Sequence, residues 1–218
     1  MWKIALLLLP LLGGCGQEDL QAPPPADWGR SPYFGSVKVA VYAPDGREMT
    51  ELGDFGTASA RFQNLDDARA RLLLSGNIRE DGDTGFVLDG RSENGGWTSR
   101  SEHVDVRIDR DGKISGEAES VPDRFTFDGT IEAKRLALEV DMELLEARSG
   151  LPRGSRFRFT YSLWGGDGIR DNATAAVGEG NGRDEGDGSC RRVEWRLRNV
   201  PNLSGGPMGM VRVPVCMD

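Results

Sequence analysis

Histidine occurs once in the 218 residues (His103), cysteine three times (Cys15, Cys190, Cys216) and lysine only four times. A single imidazole excludes the multi-histidine zinc sites of metallohydrolases. One histidine with two late cysteines cannot fill a structural zinc site either. Acidic residues outnumber basic ones 35 to 27, a net charge of −8, so the chain offers no basic face for nucleic-acid phosphates. No apolar run approaches the ~20 residues that a membrane-spanning helix needs. A G-x-S-x-G elbow, an S-x-x-K motif and a phosphate-cradling loop with its lysine are all missing. These absences nominate no catalytic residue, metal ligand or cofactor.

What is present begins at the N-terminus. Lys3 precedes the apolar run Ile4 to Leu12, and Leu12-Gly13-Gly14-Cys15 follows. A charged start, a short apolar core and small residues before a cleavage point form a secretory signal. The tetrapeptide resembles the lipobox of bacterial lipoproteins. That resemblance implies cleavage before Cys15, a diacylglycerol thioether on its sulfur and a mature chain anchored to membrane by lipid. Residues 1–14 are then signal peptide, and the mature chain has 26 basic and 35 acidic residues, net −9. Gly16 rather than aspartate after the cysteine implies sorting to the outer membrane, facing the periplasm. One acyl chain binds membranes marginally, at roughly 0.8 kcal/mol per buried methylene, whereas two or three hold a protein durably.

Residues 15–35 read as a tether, polar and proline-rich (Pro23-Pro24-Pro25), reaching ~50 Å if extended. From residue 36 to 164 the dominant period is two. Val37, Val39 and Val41 alternate with polar or small residues, as do Ala70, Leu72 and Leu74, and Val104, Val106 and Ile108. Leu136, Leu138, Val140, Met142 and Leu144 oppose Ala137, Glu139, Asp141 and Glu143. Strands with one apolar and one wet face, joined by short turns such as Arg110-Asp111-Gly112, predict an all-β antiparallel meander of nine to eleven strands. In-strand Gly90, Gly116 and Gly129 suit bulges or tight corners, favouring a curled or closed sheet over a two-sheet sandwich. The arrangement loosely resembles the lipocalin-like barrels of bacterial surface lipoproteins. Phe86 to Glu93 echoes Phe125 to Glu132, as duplicated hairpins would.

Residues 165–189 hold eight glycines and six acidic residues, too polar to build a core, and read as a loop. Residues 190–218 read as a hairpin. Folded about Leu203, it sets Val193 opposite Val213, Trp195 opposite Val211 and Cys190 opposite Cys216. That register and an exported compartment predict a Cys190–Cys216 disulfide closing the hairpin.

The remaining chemistry is sparse. Asp109-Arg110-Asp111-Gly112 lacks two carboxylates of a calcium loop and reads as strand–turn–strand. The acidic glycine-rich loop is the other place to look for calcium. His103 reads as a solvated strand residue and Trp195 as a core strand residue; Trp97, after Asn94-Gly95-Gly96, reads as a packing residue at a hairpin end, and is also the best candidate should an aromatic be exposed. The expected function is that of a membrane-anchored, non-catalytic binding domain for a protein partner. A carrier of a small apolar ligand inside a barrel and a carboxylate hydrolase are the alternatives.

Overall fold

The computed structural model describes residues 28, 31–78, 82–93, 95–165 and 192–217, with backbone only at 192, 216 and 217. The signal segment, Cys15, Pro23 to Pro25, residues 166–189 and Cys190 lie outside the described residues. Ten strands alternate along the chain as β1 (Tyr33–Tyr42), β2 (Asp54–Asn64), β3 (Arg69–Ile78), β4 (Gly82–Glu93), β5 (Gly96–Ser101), β6 (Val104–Ile108), β7 (Lys113–Ser120), β8 (Asp123–Ile131), β9 (Arg135–Leu144) and β10 (Arg156–Gly165). Each pairs antiparallel with its chain neighbour, and β1 pairs with β10 to close a barrel. The closed form of the expected meander is therefore the observed one, and a two-sheet sandwich is not. Two further strands, β11 (Arg192–Val200) and β12 (Gly209–Met217), form a separate hairpin, bringing the total to twelve, one above the expected range.

The period-two pattern places one apolar row of each strand in the lumen. Val37, Leu74, Leu88, Val106, Ile114, Leu136 and Leu163 are all essentially inaccessible there. Tyr161 is also fully buried, and loss of hydration pushes its phenol above the ordinary value. Gly116 has φ +143°, and a side chain there would begin 2.1 Å from the carbonyl oxygen of Asp105 on β6. It is the tight corner that an in-strand glycine implies.

The barrel has two distinct ends. At one, β1 begins at Tyr33 and the β8–β9 turn closes over it, where the Tyr33 hydroxyl donates to the Glu132 carbonyl at 2.7 Å. Trp28, from the segment expected to be tether, is buried at this end, its ring 5.5 Å from Phe62. Phe62 in turn meets Trp97 edge-on at 5.7 Å, so three aromatics close the tether end. Residues 28 and 31–35, expected to be tether, therefore belong to the barrel. At the far end lie the β5–β6 and β7–β8 turns.

The hairpin lies on the outer wall of β2, β3 and β4. Leu73 and Val87 point outward from β3 and β4 and pack with Val200, Val211, Val213 and Val215 in a second core. β3 is thus covered on both faces, which accounts for the unbroken Leu72-Leu73-Leu74. Along β12 the Ser75 hydroxyl donates to the Arg212 carbonyl at 3.0 Å, and Thr57 donates to the Pro214 carbonyl.

The hairpin register corrects the one read from sequence. Val193 stands opposite Cys216, Trp195 opposite Pro214 and Arg196 opposite Val213, a slip of three residues. An odd slip moves every side chain to the other face. Trp195 therefore leaves the face of Val211, Val213 and Val215 and is 44% exposed. The cause is tertiary. Residues after Val200 are drawn onto the barrel, so the midpoint of the hairpin moves from Leu203 to between Ser204 and Gly205.

Candidate functional site

The first notable feature is a seam. β4 has twelve residues but pairs with β5 only over Arg91–Glu93. In the gap, the Val87 amide donates to the Pro201 carbonyl at 3.0 Å, and the Leu203 amide donates to the Val87 carbonyl at 2.9 Å. The β11–β12 loop thereby acts as a short parallel strand, and Leu203 enters the lumen core with 3% exposure. A polar cluster fastens it. Arg71 donates to both oxygens of Asp89 at 2.5 and 3.0 Å, and the Asn202 amide donates to Asp89 Oδ2 at 3.0 Å. The Asp89 amide donates to the Ser204 hydroxyl at 2.9 Å, and the Ser99 hydroxyl donates to the Asp89 carbonyl at 2.7 Å. The Arg71 hydrogen bonds hold the Asp89 carboxyl below its ordinary value, with Asn202 adding to the effect against the opposing cost of burial.

The loop also borders a cavity of about 360 Å³ at the far end of the barrel. The β5–β6 turn supplies Ser101, Glu102 and His103, the β7–β8 turn Glu119, Ser120 and Val121, and the hairpin loop Asn202 to Gly205. His103 sits in a turn rather than within a strand, exposed, its amide donating to the Ser101 hydroxyl at 3.4 Å. Val121 on the rim is 81% exposed. Among the described residues no three His, Cys, Asp or Glu side chains converge to hold a metal ion. Asp109 is occupied as a turn cap, its Oδ1 accepting from the amides of Asp111 and Lys113 at 2.9 Å each. That is the strand–turn–strand arrangement expected of this segment.

A smaller cavity of about 170 Å³ opens on the flank, between the hairpin and β1 to β3, and Pro32, Phe34, Arg61, Trp195 and Arg212 line it. Trp195 meets Phe34 edge-on at 5.1 Å. Trp195, expected in a core strand, is thus exposed, whereas Trp97 is the hairpin-end packing residue and not the exposed aromatic. Trp97 is fully buried and donates its indole N–H to the Ala70 carbonyl at 3.0 Å. Its ring occupies the space a side chain at Gly90 would need, within 2.4 Å of that position. Elsewhere the outer wall is charged, with Arg158 donating to both Asp141 oxygens at 2.8 Å.

The lumen itself is spanned by side chains. Phe86 on β4 lies 5.4 Å from Phe127 and 6.3 Å from Phe125 on β8, so the two echoing segments meet through their aromatics. The two cavities described above both lie outside this packed interior. No protein-family model matches the chain, and no curated protein matches it. The cavity at the far end, built of three loops whose signals were scattered over a hundred residues, could not be seen as one site in the sequence. The only hint was the single histidine beside Glu102.

Proposed function

We propose that this protein is a cell-envelope lipoprotein, acylated on Cys15 and held on the periplasmic side of the outer membrane, whose barrel binds a protein partner without catalysing a reaction. One observation carries the reading. The larger cavity lies at the end of the barrel opposite the point where the tether enters, and three loops on a rigid sheet build its walls. Binding surfaces are commonly loops positioned by such a scaffold. An anchor at one end presents the other to soluble partners. The mixed lining, carboxylates and hydroxyls beside the exposed Val121, suits a polar protein surface with one apolar contact. A packed lumen supports this over a carrier of small apolar ligands, because Phe86, Phe125 and Phe127 occupy the space such a ligand needs. A Cys190–Cys216 disulfide belongs to the same reading through the oxidising compartment alone, because the observed register sets Cys216 opposite Val193 and not opposite Cys190.

Photo-crosslinking tests the proposal. A photoreactive residue at Val121, exposed in intact envelopes, yields one discrete protein adduct. The same residue at Lys134, in the β8–β9 turn of the tether end, yields none. Equal labelling at both positions, or none at Val121, would refute it.

A further inference from the structure

We infer that the flank carrying the hairpin is a membrane-docking face for a bilayer containing anionic phospholipid. The inference rests on the anchored reading above and adds to it how the barrel sits against the membrane. Three independent observations converge on this flank.

The first is exposed apolar surface. Among the described residues nine large apolar side chains are exposed, and four of them, Trp195, Leu197, Met208 and Met210, belong to the hairpin. The three-residue slip that puts Trp195 on the outer face puts Leu197 there too, opposite Arg212, with Met210 on the next pair. The row continues onto the barrel. Trp195 meets Phe34, and Phe34 stands directly opposite Trp164 on β10, itself 39% exposed. Tryptophans at one level are what a water–lipid interface selects, since the indole joins an apolar body to a hydrogen-bonding N–H, and Phe34 adds apolar surface between them.

The second is charge. Residues 190–218 contain five arginines and two acidic residues, net +3, in a chain whose total is −8. Arg61 adds a further cation beside the flank cavity. Arg196 is paired with Glu194 and Arg198 with Asp83 of β4, and the net positive charge that the segment keeps within a negative body favours anionic headgroups. Long arginine side chains keep their charge at headgroup level while their stems lie along apolar neighbours.

The third is the path of the chain. Pro32 lines the same cavity as Trp195, so the chain enters β1 beside this face. Trp28 is buried in the barrel, and thirteen residues (15–27) separate it from the proposed acyl group, a length of ~40 Å at most in polyproline form. A lipid anchor that close holds the flank at high local concentration near the bilayer, so weak intrinsic affinity suffices to orient the domain.

The test uses residues 15–218, produced without the signal segment and with Cys15→Ala, so that neither an acyl group nor the apolar run contributes. It is mixed with vesicles of phosphatidylglycerol and phosphatidylcholine, and with phosphatidylcholine alone. Binding to the anionic vesicles, weakened by salt and by removal of phosphatidylglycerol, is expected. Brominated lipid should quench tryptophan emission. The doubly substituted Trp164→Ala, Trp195→Ala chain should partition about tenfold more weakly with its circular dichroism unchanged. A folded chain that ignores vesicles at millimolar lipid, or a double variant that binds as well as the parent, overturns the inference. So does a photoreactive residue at Leu197 that captures protein and no lipid in intact envelopes, because the face would then belong to a protein partner. Acylation of Cys15 is measured separately, so failure of the anchor and failure of the docking face give different results.

Discussion

Val87 and Asn202 form a parallel bridge between a barrel strand and the loop of a hairpin that is otherwise outside the barrel. Through it the C-terminus repairs the seam that β4 leaves where it parts from β5. The same loop supplies a wall of the far-end cavity, so closure of the barrel and shape of the candidate site depend on one short segment.

Leu203 is the plug of that seam. Leu203→Ala removes a core side chain that is 3% exposed and should cost about 2–5 kcal/mol in chemical denaturation. Hydrogen exchange should rise first at Val87 and its neighbours. A variant with parental stability would show that the loop merely rests on the surface.

Gly90 and Trp97 share one volume. A methyl at Gly90 would stand 2.4 Å from the indole, so Gly90→Ala should destabilise the protein by about 1–3 kcal/mol. Trp97→Leu in the same chain should relieve part of that penalty, giving a favourable coupling in a double-mutant cycle. Strict additivity would contradict the packing described.

Asp89 makes the fastening of the loop sensitive to acid. Its folded carboxyl lies below the ordinary 3.8, chiefly through Arg71, so the stability it contributes is complete above 3.8 and lost as pH falls through the lower folded value. Proteolysis of the hairpin should therefore be unchanged from pH 7 to 5 and should quicken below about pH 4. Asp89→Asn should be susceptible at neutral pH and lose most of that dependence. A hairpin in the parent chain equally resistant at pH 3 and pH 7 would remove Asp89 from this role.

The proposed sulfur bridge has its own test. Peptide mapping of the secreted protein without reductant should recover Cys190 linked to Cys216. Reduction should lower stability by roughly 3–4 kcal/mol if the bond is unstrained. Finding two free thiols in protein from an oxidising compartment would discard it.

Much of the barrel was legible because its strands have one dry and one wet face, and Leu136 to Leu144 or Val104 to Ile108 announce this residue by residue. β2 was not, because its inward row, Gly56, Ala58 and Ala60, is small and carries little hydrophobic contrast. The hairpin was legible as a hairpin, but its register was not. Local pairing preferred symmetry about Leu203, whereas that residue is spent in the barrel core and the bend moves on. The exposure of Trp195 was illegible for the same reason. Whether Trp97 or Trp195 is buried depends on Gly90 and on a register set by contacts far away in sequence. The far-end cavity is assembled from turns near residues 103, 120 and 203, and only the closed topology brings them together.

The whole account stands on the acylation of one cysteine. Metabolic labelling with radioactive palmitate in a bacterial host, comparing the parent with Cys15→Ala, measures it directly. The label should enter the parent chain, which partitions with membranes, and be absent from the substituted chain. Label absent from the parent, or equal in both, would contradict the anchor and the orientation of the barrel argued from it.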